Sequence, residues 1–442
     1  MKGKFLAIGS AVLALALGLA GCSFGNGPGN TDIGDLGERE GKITIWWPGS
    51  TVEMAAINQA KEDYIAKYPK VSIEIIGQST PDFYTAYALA CSGPNAPDIA
   101  YVDHVYVQTL AYYGYIANLS SAGYEELKDT FIDTLWNPGF YDGKLYALPM
   151  SANVLVTVYN KTLIAEAQGT TTENITLPKN YEEFLTLAQQ IVALNDSTTT
   201  NDPYYALTIP AGTGHNSMAA MSYLAYVNRA GGTSILSSDL KSSLLNSQAC
   251  IDAAKKIYEL GTYAPGTFSE AKFETGRVGF IEMGPWKISD YEKYSKNYGW
   301  EVGYTTSIPF TEGGNAGATI GLYDLVVTNN SRAALAADFV KFVTTTDKYQ
   351  LTFATAQNLI PTTKTAVQNE FYSGETWQVF VNQLNDVVVR PGSPAWTDIE
   401  SALGTFVTGL VQHTSPTSID GVAQECAGLH EQVTGALEDI YY

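Results

Sequence analysis

The sequence predicts an α/β fold with a parallel β-sheet, and three observations support this. Short β-rich runs alternate with helical runs from residue 42 onward. The apolar residues recur every second position in the strands and about every 3.6 positions in the helices. Proline and glycine follow the ends of several runs, where they stop regular structure. Because strands joined through a helix lie parallel in one sheet, this order predicts a parallel sheet with right-handed crossovers.

The N-terminal half carries the clearest pattern. Strands are expected at 42–47, 71–75 and 97–102, and helices at 52–68 and 82–90. Ligands of such sheets bind beyond the carboxyl ends of the strands. The candidate residues there are Trp47 and Ser50 after the first strand, and Asp103 with His104 after the third. Trp46 is expected to face the core.

The middle of the chain is less regular. The fully apolar run 154–159 is typical of a buried strand. Asn180, followed three residues later by Glu183, predicts the start of a helix that runs to about Leu194. The polar stretch 195–203 does not have the spacing of a calcium-binding EF-hand loop, so we interpret it as a solvated loop.

The N-terminus has the features of an export signal. Lys2 and Lys4 precede an apolar run over residues 5–20, which is shorter than the roughly 20 apolar residues that a membrane span requires. Leu19-Ala20-Gly21-Cys22 resembles a lipobox, which implies a signal peptide over 1–21 and a lipid attached to Cys22. Residues 22–41 are rich in Gly, Asn and Asp and predict a flexible tether. We therefore expect an extracytoplasmic protein with a lipid anchor in the cell membrane.

Composition restricts the partners of the chain. The formal net charge of -20 argues against nucleic acid, and the 29 Tyr and 7 Trp exceed what core packing needs. Roughly 400 residues follow the tether, enough for two domains.

The spacing of residues supports neither a metal site nor a cofactor. With Cys22 assigned to lipid, three cysteines remain; a Cys250–Cys426 disulfide is left open, and at least one thiol should be free.

Several motifs in order resemble the extracellular solute-binding proteins of the maltose- and oligosaccharide-binding type (family 1). The resemblance extends from about Lys42 to the C-terminus, and it implies an α/β, two-lobe periplasmic-binding-protein-like fold with an interlobe ligand cleft and a hinge of several chain crossings. By position, lobe 1 would hold 42–152 plus 311–345, and lobe 2 would hold 153–310 plus 346–442. The motifs are 43–47 (ITIWW), 96–103 (APDIAYVD), 148–149 (LP) with 158–161 (VYNK), 177–178 (LP) with 181–184 (YEEF), 273–280 (FETGRVGF), 283–286 (MGPW), 337–343 (ADFVKFV), 360–361 (IP) and 390–391 (RP).

The resemblance also implies a function: the substrate-binding lipoprotein of an ABC importer, which binds a mono- or oligosaccharide and delivers it to a permease with a cytoplasmic ATPase. The chain would act as a monomer without a cofactor. In the resembled family the tryptophan at Trp286 stacks on the sugar; its alternative is a buried anchor beneath the turn. Asp103 is expected to bind sugar, to cap a helix, or to do both. At Asn153 an amide replaces the acid that relatives often have.

Weaker candidates follow from the same alignment of motifs. Tyr323 and Asp324 lie where many relatives have a Gly-Gly-aromatic turn, although the second glycine is absent here. Arg390 and Trp396 lie in a proline-rich segment; Arg390 would contact ligand or form an ion pair. His215 is expected in an exposed loop.

Three other functions stay open at this point. A secreted carbohydrate-active enzyme would need paired carboxylates. No HExxH or GxxxxGK[ST] motif occurs in the sequence, and its GxSxG match at residues 21–25 (GCSFG) overlaps the lipobox. A surface adhesin would bind no small ligand. A binding protein for a phosphorylated polyol such as glycerol 3-phosphate would need a cationic pocket, for which Arg390 and Lys287 are the nearby residues.

Overall fold

The computed structural model describes residues 31–48, 51–78, 83–196 and 201–441, with backbone alone for 51–53. The strands are β1 (Gly41–Trp47), β2 (Val71–Gly77), β3 (Ile99–Asp103), β4 (Phe140–Tyr141), β5 (Lys144–Leu145), β6 (Ala147–Val154), β7 (Val156–Asn160), β8 (Tyr205–Thr208), β9 (Val278–Met283), β10 (Val302–Thr305), β11 (Ala318–Val327), β12 (Ile360–Pro361) and β13 (Val387–Val388). The helices are α1 (Thr51–Lys67), α2 (Phe83–Cys91), α3 (Val107–Tyr112), α4 (Asp133–Trp136), α5 (Lys161–Gln168), α6 (Tyr181–Val192), α7 (Asn216–Arg229), α8 (Gln248–Gly261), α9 (Glu270–Glu274), α10 (Ile288–Tyr298), α11 (Ala333–Thr344), α12 (Asp347–Ala356), α13 (Glu375–Gln383), α14 (Trp396–Val411) and α15 (Val422–Tyr441).

The first lobe is built on a seven-stranded sheet in the order β12-β6-β11-β3-β1-β2, with β13 paired to β11. Strand β1 is parallel to both β2 and β3, as the alternating pattern predicts. Strand β11 returns from much later in the chain and runs antiparallel to β3 and to β6. The sheet is therefore mixed. The local pattern predicted the parallel group β1 to β3, whereas the parallel pairing of β13 with β11 was not predicted.

The second lobe is built on a four-stranded sheet in the order β10-β7-β9-β8. The chain passes from the first sheet to the second between β6 and β7 and returns between β10 and β11. After β12 it leaves for α13, returns at β13, which pairs with β11, and leaves again for α14. These crossings form the predicted hinge of several segments. The α/β, two-lobe fold class is confirmed.

One polar contact ties the first lobe together at the motif Ala96-Pro97-Asp98. The Asp98 carboxylate is buried and accepts hydrogen bonds from the backbone N–H of Thr44 in β1 (2.7 Å), from Asn330 Nδ2 (2.9 Å) and from Arg332 Nε (2.7 Å). Asp98 thus joins β1 to the segment after β11. This part of the motif has a structural role.

The return segment of the first lobe extends further than the predicted Thr345. Helix α12 packs on α1, and its residues Tyr349 and Phe353 are buried in the core cluster that contains Ile45 and Trp47. Strand β12 then pairs with β6. Residues 346–361 therefore pack with the first sheet, because the apolar face of α12 is covered there.

Part of the predicted tether also packs on the first lobe. Ile33 and Leu36 lie against the core cluster, and Arg39 forms an ion pair with Asp338 (Nε–Oδ2 2.7 Å). The prediction of a tether over 22–41 is thus wrong for residues 31–41, since these few apolar and charged side chains find partners. Residues 22–30 lie outside the described part of the chain.

The remaining expectations concern thiols and membrane segments. Cys250 and Cys426 are buried free thiols, so the disulfide left open by the sequence is not formed; Cys91 is also free. Across the described ranges, the helices lack the combination of length and apolar character that a membrane crossing requires.

Candidate functional site

A cleft of about 660 Å³ opens between the two lobes. It is lined from the first sheet, from the segment after β9, from α7, from the turn after α12 and from the segment after β13. Most lining residues are polar or aromatic, which suits a ligand with both hydroxyl groups and apolar faces. The lining residues are Pro48, Tyr101, Asp103, Asn153, Ser217, Met221, Trp286, Gly321, Tyr323, Ala356, Gln357, Leu359 and Arg390.

Asp103 lies at the carboxyl end of β3, the edge at which the sheet topology places ligands. Its Oδ1 accepts a hydrogen bond from the backbone N–H of Val105 (3.3 Å) and so caps the 3₁₀ turn His104–Tyr106. The same side chain lines the cleft and is 21% exposed. The structure therefore combines the cap with a position at the cleft.

Arg390 forms an ion pair with Asp103, the second of its two predicted roles. Its Nη2 lies 2.7 Å from Oδ1 and 2.8 Å from Oδ2, and the side chain is 4% exposed. His104 completes the cluster: its Nδ1 lies 3.0 Å from Asp103 Oδ1 and 3.2 Å from the carbonyl oxygen of Leu322. Arg390 also lines the cleft.

The electrostatics of this cluster follow from burial and pairing. Burial alone would raise the pKa of Asp103, but Arg390 and His104 outweigh it and hold the pKa well below its usual range. Burial lowers the pKa of His104 despite its hydrogen bond to Asp103, so the imidazole is neutral at neutral pH. The cleft edge thus holds a carboxylate, a guanidinium and a neutral imidazole.

Trp286 is half-buried in the 3₁₀ turn Pro285–Lys287, which follows β9, and it lines the cleft from the second lobe. The indole ring lies against the backbone of Gly284, where any side chain would overlap its six-membered ring. Part of the ring also packs on the core cluster that joins the two sheets. The turn therefore holds the indole at the wall of the cleft.

A second aromatic surface faces the cleft from the first lobe. Tyr323 in β11 is stacked on Tyr101 (ring centroids 5.2 Å, 16° between planes), and Tyr101 is stacked on Trp47 (4.5 Å, 11°). Trp47 is fully buried behind them, with Phe353 at its edge. The prediction that Trp47 faces the ligand is wrong: helices cover both faces of the sheet, and Trp46 packs on the opposite face.

Asn153 in β6 lines the cleft beside Gly321, its register partner in β11. A Cβ atom at Gly321 would lie 2.6 Å from both Asn153 Nδ2 and Oδ1. The glycine therefore leaves room for the amide, although the second glycine of the resembled turn is absent. Asn153 supplies an NH₂ donor group and a carbonyl acceptor at the site.

Two other predicted residues do not reach the cleft. Asp324, next to Tyr323, is fully buried on the far side of β11, and neither carboxylate oxygen has a hydrogen-bond partner among the described residues. Trp396 begins α14 in the core of the second lobe and donates from Nε1 to Glu400 Oε1 (3.2 Å). Neighbouring strand residues point to opposite faces, which explains Asp324.

Three further candidates complete the comparison with the sequence. Ser50 and Cys22 lie outside the described residues. His215 precedes α7, is half-buried against Phe268 and does not line the cleft.

The sequence reasoning missed several lining residues. Tyr101 lies two residues before Asp103 in β3, so both side chains point to the same face of the sheet. The two-residue period of a strand was enough to predict this position. Ser217 and Met221 are four residues apart and lie on one face of α7. Gln357 and Leu359 flank Asn358, whose backbone is left-handed (φ 52°), between α12 and β12; no local pattern indicates that this turn faces a cleft.

Comparison with known proteins adds evidence of a different kind. A family model described as bacterial extracellular solute-binding protein matches residues 59–379. A binding protein of Brucella abortus is 26% identical over 287 residues, a match that covers 62% of the chain and 65% of that relative's length. The diacetylchitobiose binding protein of Streptomyces coelicolor is 26% identical over 427 residues, covering 91% of the chain and 95% of the relative.

Solved structures agree on the fold. The crystal structure of a cyclic alpha-maltosyl-1,6-maltose binding protein from Arthrobacter globiformis matches with a TM-score of 0.76 and 23% identity, covering 90% of the chain and all of that protein. The likeness extends over both lobes.

Proposed function

The chain belongs to the bacterial extracellular solute-binding proteins, and from that premise we propose that it binds a mono- or oligosaccharide in its interlobe cleft and delivers it to the permease of an ABC importer. Membership of this family implies a location outside the cytoplasm. The relatives named above are binding proteins, and the names of the Streptomyces coelicolor and Arthrobacter globiformis proteins point to saccharide ligands.

The observation that carries the proposal is the pair of aromatic surfaces on opposite lobes. Trp286 follows a strand of the four-stranded sheet, and Tyr323 lies in the seven-stranded sheet. A sugar ring has apolar C–H faces that suit flat aromatic rings and hydroxyl groups that need paired donors and acceptors. Asn153, Ser217 and Gln357 supply such polar groups between the two surfaces.

This arrangement supports a closing mechanism. A sugar that contacts Trp286 and Tyr323 together gains more contact when the lobes approach than when they are apart. Only such a difference in affinity between the open and closed forms can shift their populations. The hinge of several crossings allows the lobes to rotate as units, and the closed form would dock on the permease.

A lipid at Cys22 would hold the binding protein near its permease. One acyl chain gives weak and reversible membrane binding, whereas two chains anchor stably, and a diacylglycerol supplies two. We propose that the mature chain begins at Cys22 and acts as a monomer. Intact-mass measurement of the membrane fraction tests the anchor, and a Cys22→Ala variant that still stays in the membrane would contradict it.

The geometry does not favour the phosphorylated polyol. Arg390 is engaged by Asp103, and Lys287 lies 2.6 Å from Glu270 and 3.6 Å from Asp290 rather than in the cleft lining. A phosphate ester would have to displace a carboxylate from one of these pairs.

A thermal-shift screen tests the proposed function directly. The protein would begin at Ser23, because residues 31–41 pack on the first lobe. The panel contains maltose, maltotriose, diacetylchitobiose, monosaccharides, glycerol 3-phosphate, amino acids and short peptides. A ligand at 100 times its dissociation constant stabilises the fold by about 2.7 kcal/mol.

The outcomes separate the candidate functions. A shift confined to one class of saccharide supports the proposal. A shift with glycerol 3-phosphate alone, or with no small molecule, contradicts it. Chromatography of the sugar after prolonged incubation tests for turnover, which would indicate an enzyme.

A further inference from the structure

Two charged side chains line the described part of the cleft, and they neutralise each other. Both oxygens of Asp103 lie within hydrogen-bond distance of one nitrogen of Arg390, at 2.7 and 2.8 Å. The other described lining residues are uncharged: Pro48, Tyr101, Asn153, Ser217, Met221, Trp286, Gly321, Tyr323, Ala356, Gln357 and Leu359. A ligand in the cleft therefore meets a surface with no net charge.

The pair is held in place from both sides. Asp103 also receives hydrogen bonds from the backbone N–H of Val105 and from His104. Arg390 is 4% exposed and precedes Pro391, so neither its side chain nor its backbone can easily turn away. Breaking the contact would leave a charge uncompensated in a largely buried place, which is costly.

Two titratable neighbours of the pair, His104 and Asp324, favour their neutral forms. Burial, followed by the Asp103 carboxylate, raises the pKa of Asp324 well above its usual value, which favours the neutral form of this acid. Burial keeps His104 neutral as well. Glu400 also acts electrostatically on Arg390 but lies outside the cleft lining, so Asp103 and Arg390 supply the charges of the lining itself.

We propose that the Asp103–Arg390 pair determines specificity by restricting the cleft to uncharged saccharides. This inference rests on the proposed function and goes beyond it, because it names the class of sugar. A carboxylated sugar could not approach Arg390 without also meeting Asp103, and an amino sugar could not approach Asp103 without also meeting Arg390, because the two side chains are in contact. Neither charged sugar would find an unpaired counter-ion, because Asp103 and Arg390 already form an ion pair with each other.

Replacement of one partner should therefore change which charge the cleft accepts. Asp103→Asn leaves the buried guanidinium unpaired and favours carboxylated sugars. Arg390→Gln leaves the carboxylate unpaired and favours amino sugars. The double variant Asp103→Asn with Arg390→Gln is again without net charge and should again prefer uncharged sugars.

The experiment is isothermal titration calorimetry on the chain from Ser23 to the C-terminus. The probes are two matched pairs: maltotriose with maltotriose oxidised to the C6 carboxylate, and diacetylchitobiose with chitobiose, which carries free amino groups. Each titration is run at low and at high salt, because screening weakens only the charge-dependent part of binding. Circular dichroism establishes that each variant is folded, and Lys287→Gln, a cation lost outside the cleft lining, is the control for net charge.

The ratio of affinities for the charged and uncharged member of a pair is the readout. We expect Asp103→Asn to shift this ratio by about tenfold or more toward the carboxylated probe, and Arg390→Gln to shift it by a similar factor toward the amino probe. High salt should reduce both shifts. Both the double variant and Lys287→Gln should keep the wild-type ratio.

Unchanged ratios in both single variants would overturn the inference, and so would strong binding of a charged probe by the wild type. If Arg390→Gln does not fold, Asp103→Asn still tests the claim. Failure of the proposed function looks different: the wild type then binds neither uncharged probe nor any saccharide of the thermal-shift panel.

Discussion

The indole ring of Trp286 lies on the backbone of Gly284, two residues earlier, so closely that a methyl group at Gly284 would overlap ring carbons Cζ3, Cη2 and Cε3. The backbone of Gly284 is extended (φ -89°, ψ 171°), a conformation open to any residue. The glycine is therefore required by the position of the tryptophan rather than by the turn itself.

Gly284→Ala should weaken sugar binding although Trp286 is still present. The new methyl group displaces the ring from its place against the backbone, and we expect affinity to fall by about tenfold. Calorimetry with the saccharide found by the thermal-shift screen measures this change in affinity. Gly374→Ala is the matched control, because a Cβ there meets no atom within 4 Å. Full affinity in Gly284→Ala would show that the observed ring position is not the binding one.

Trp286→Ala and Tyr323→Ala should each weaken binding by roughly 2 kcal/mol, about thirtyfold, because each removes an apolar surface that the sugar buries. If one sugar ring contacts both, the two losses should not add in the double variant. Tyr298→Ala removes an aromatic ring that is 58% exposed and outside the cleft lining, and it should leave affinity unchanged. Strictly additive losses would indicate two separate binding positions.

Asp324→Asn should make the protein more stable at neutral pH. The folded-state pKa of Asp324 is raised above its unfolded value by burial and then by Asp103, so the acid favours the folded state at low pH. This contribution is lost as the pH rises from the unfolded pKa of about 3.9 toward the folded one, by at most about 1.4 kcal/mol per pH unit. Asparagine does not titrate.

The test is the difference in free energy of unfolding between Asp324→Asn and wild type, measured by urea denaturation at several pH values. The difference should grow from pH 4 upward in favour of the variant. Asp103, whose pKa is lowered, acts with the opposite sign and is common to both proteins. A difference that does not depend on pH would contradict a neutral Asp324.

Asp98→Ala should destabilise the first lobe without touching the cleft. The substitution leaves the backbone N–H of Thr44 and the side chain of Asn330 without their acceptor, and hydrogen bonds to a charged group contribute about 1.5–3 kcal/mol each. We expect a loss of about 3 kcal/mol in urea denaturation. Asp98→Asn, which keeps one acceptor oxygen, should lose less, and equal losses would mean that the hydrogen bonds are not the cause.

Local features of the chain were predictable because their causes are local. The strands β1 and β2, the helix α1 and the parallel order of β1 to β3 follow from apolar periodicity and turn residues. Asn180 caps α6 as predicted, accepting a hydrogen bond from the backbone N–H of Glu183 (2.9 Å). The family resemblance then led to the two lobes and to Trp286 and Asp103 at the cleft.

The sequence by itself determined the elements of the N-terminal half and the class of fold, since short-range periodicity and ordered motifs encode these. Tertiary structure alone decided that both faces of the sheet are covered at β1 and hence that Trp47 lies in the core. It also decided the pairing of Asp103 with Arg390, which are 287 positions apart in the chain. Such a contact depends on how β3 and the segment after β13 meet at the hinge, and no local pattern of residues specifies that meeting.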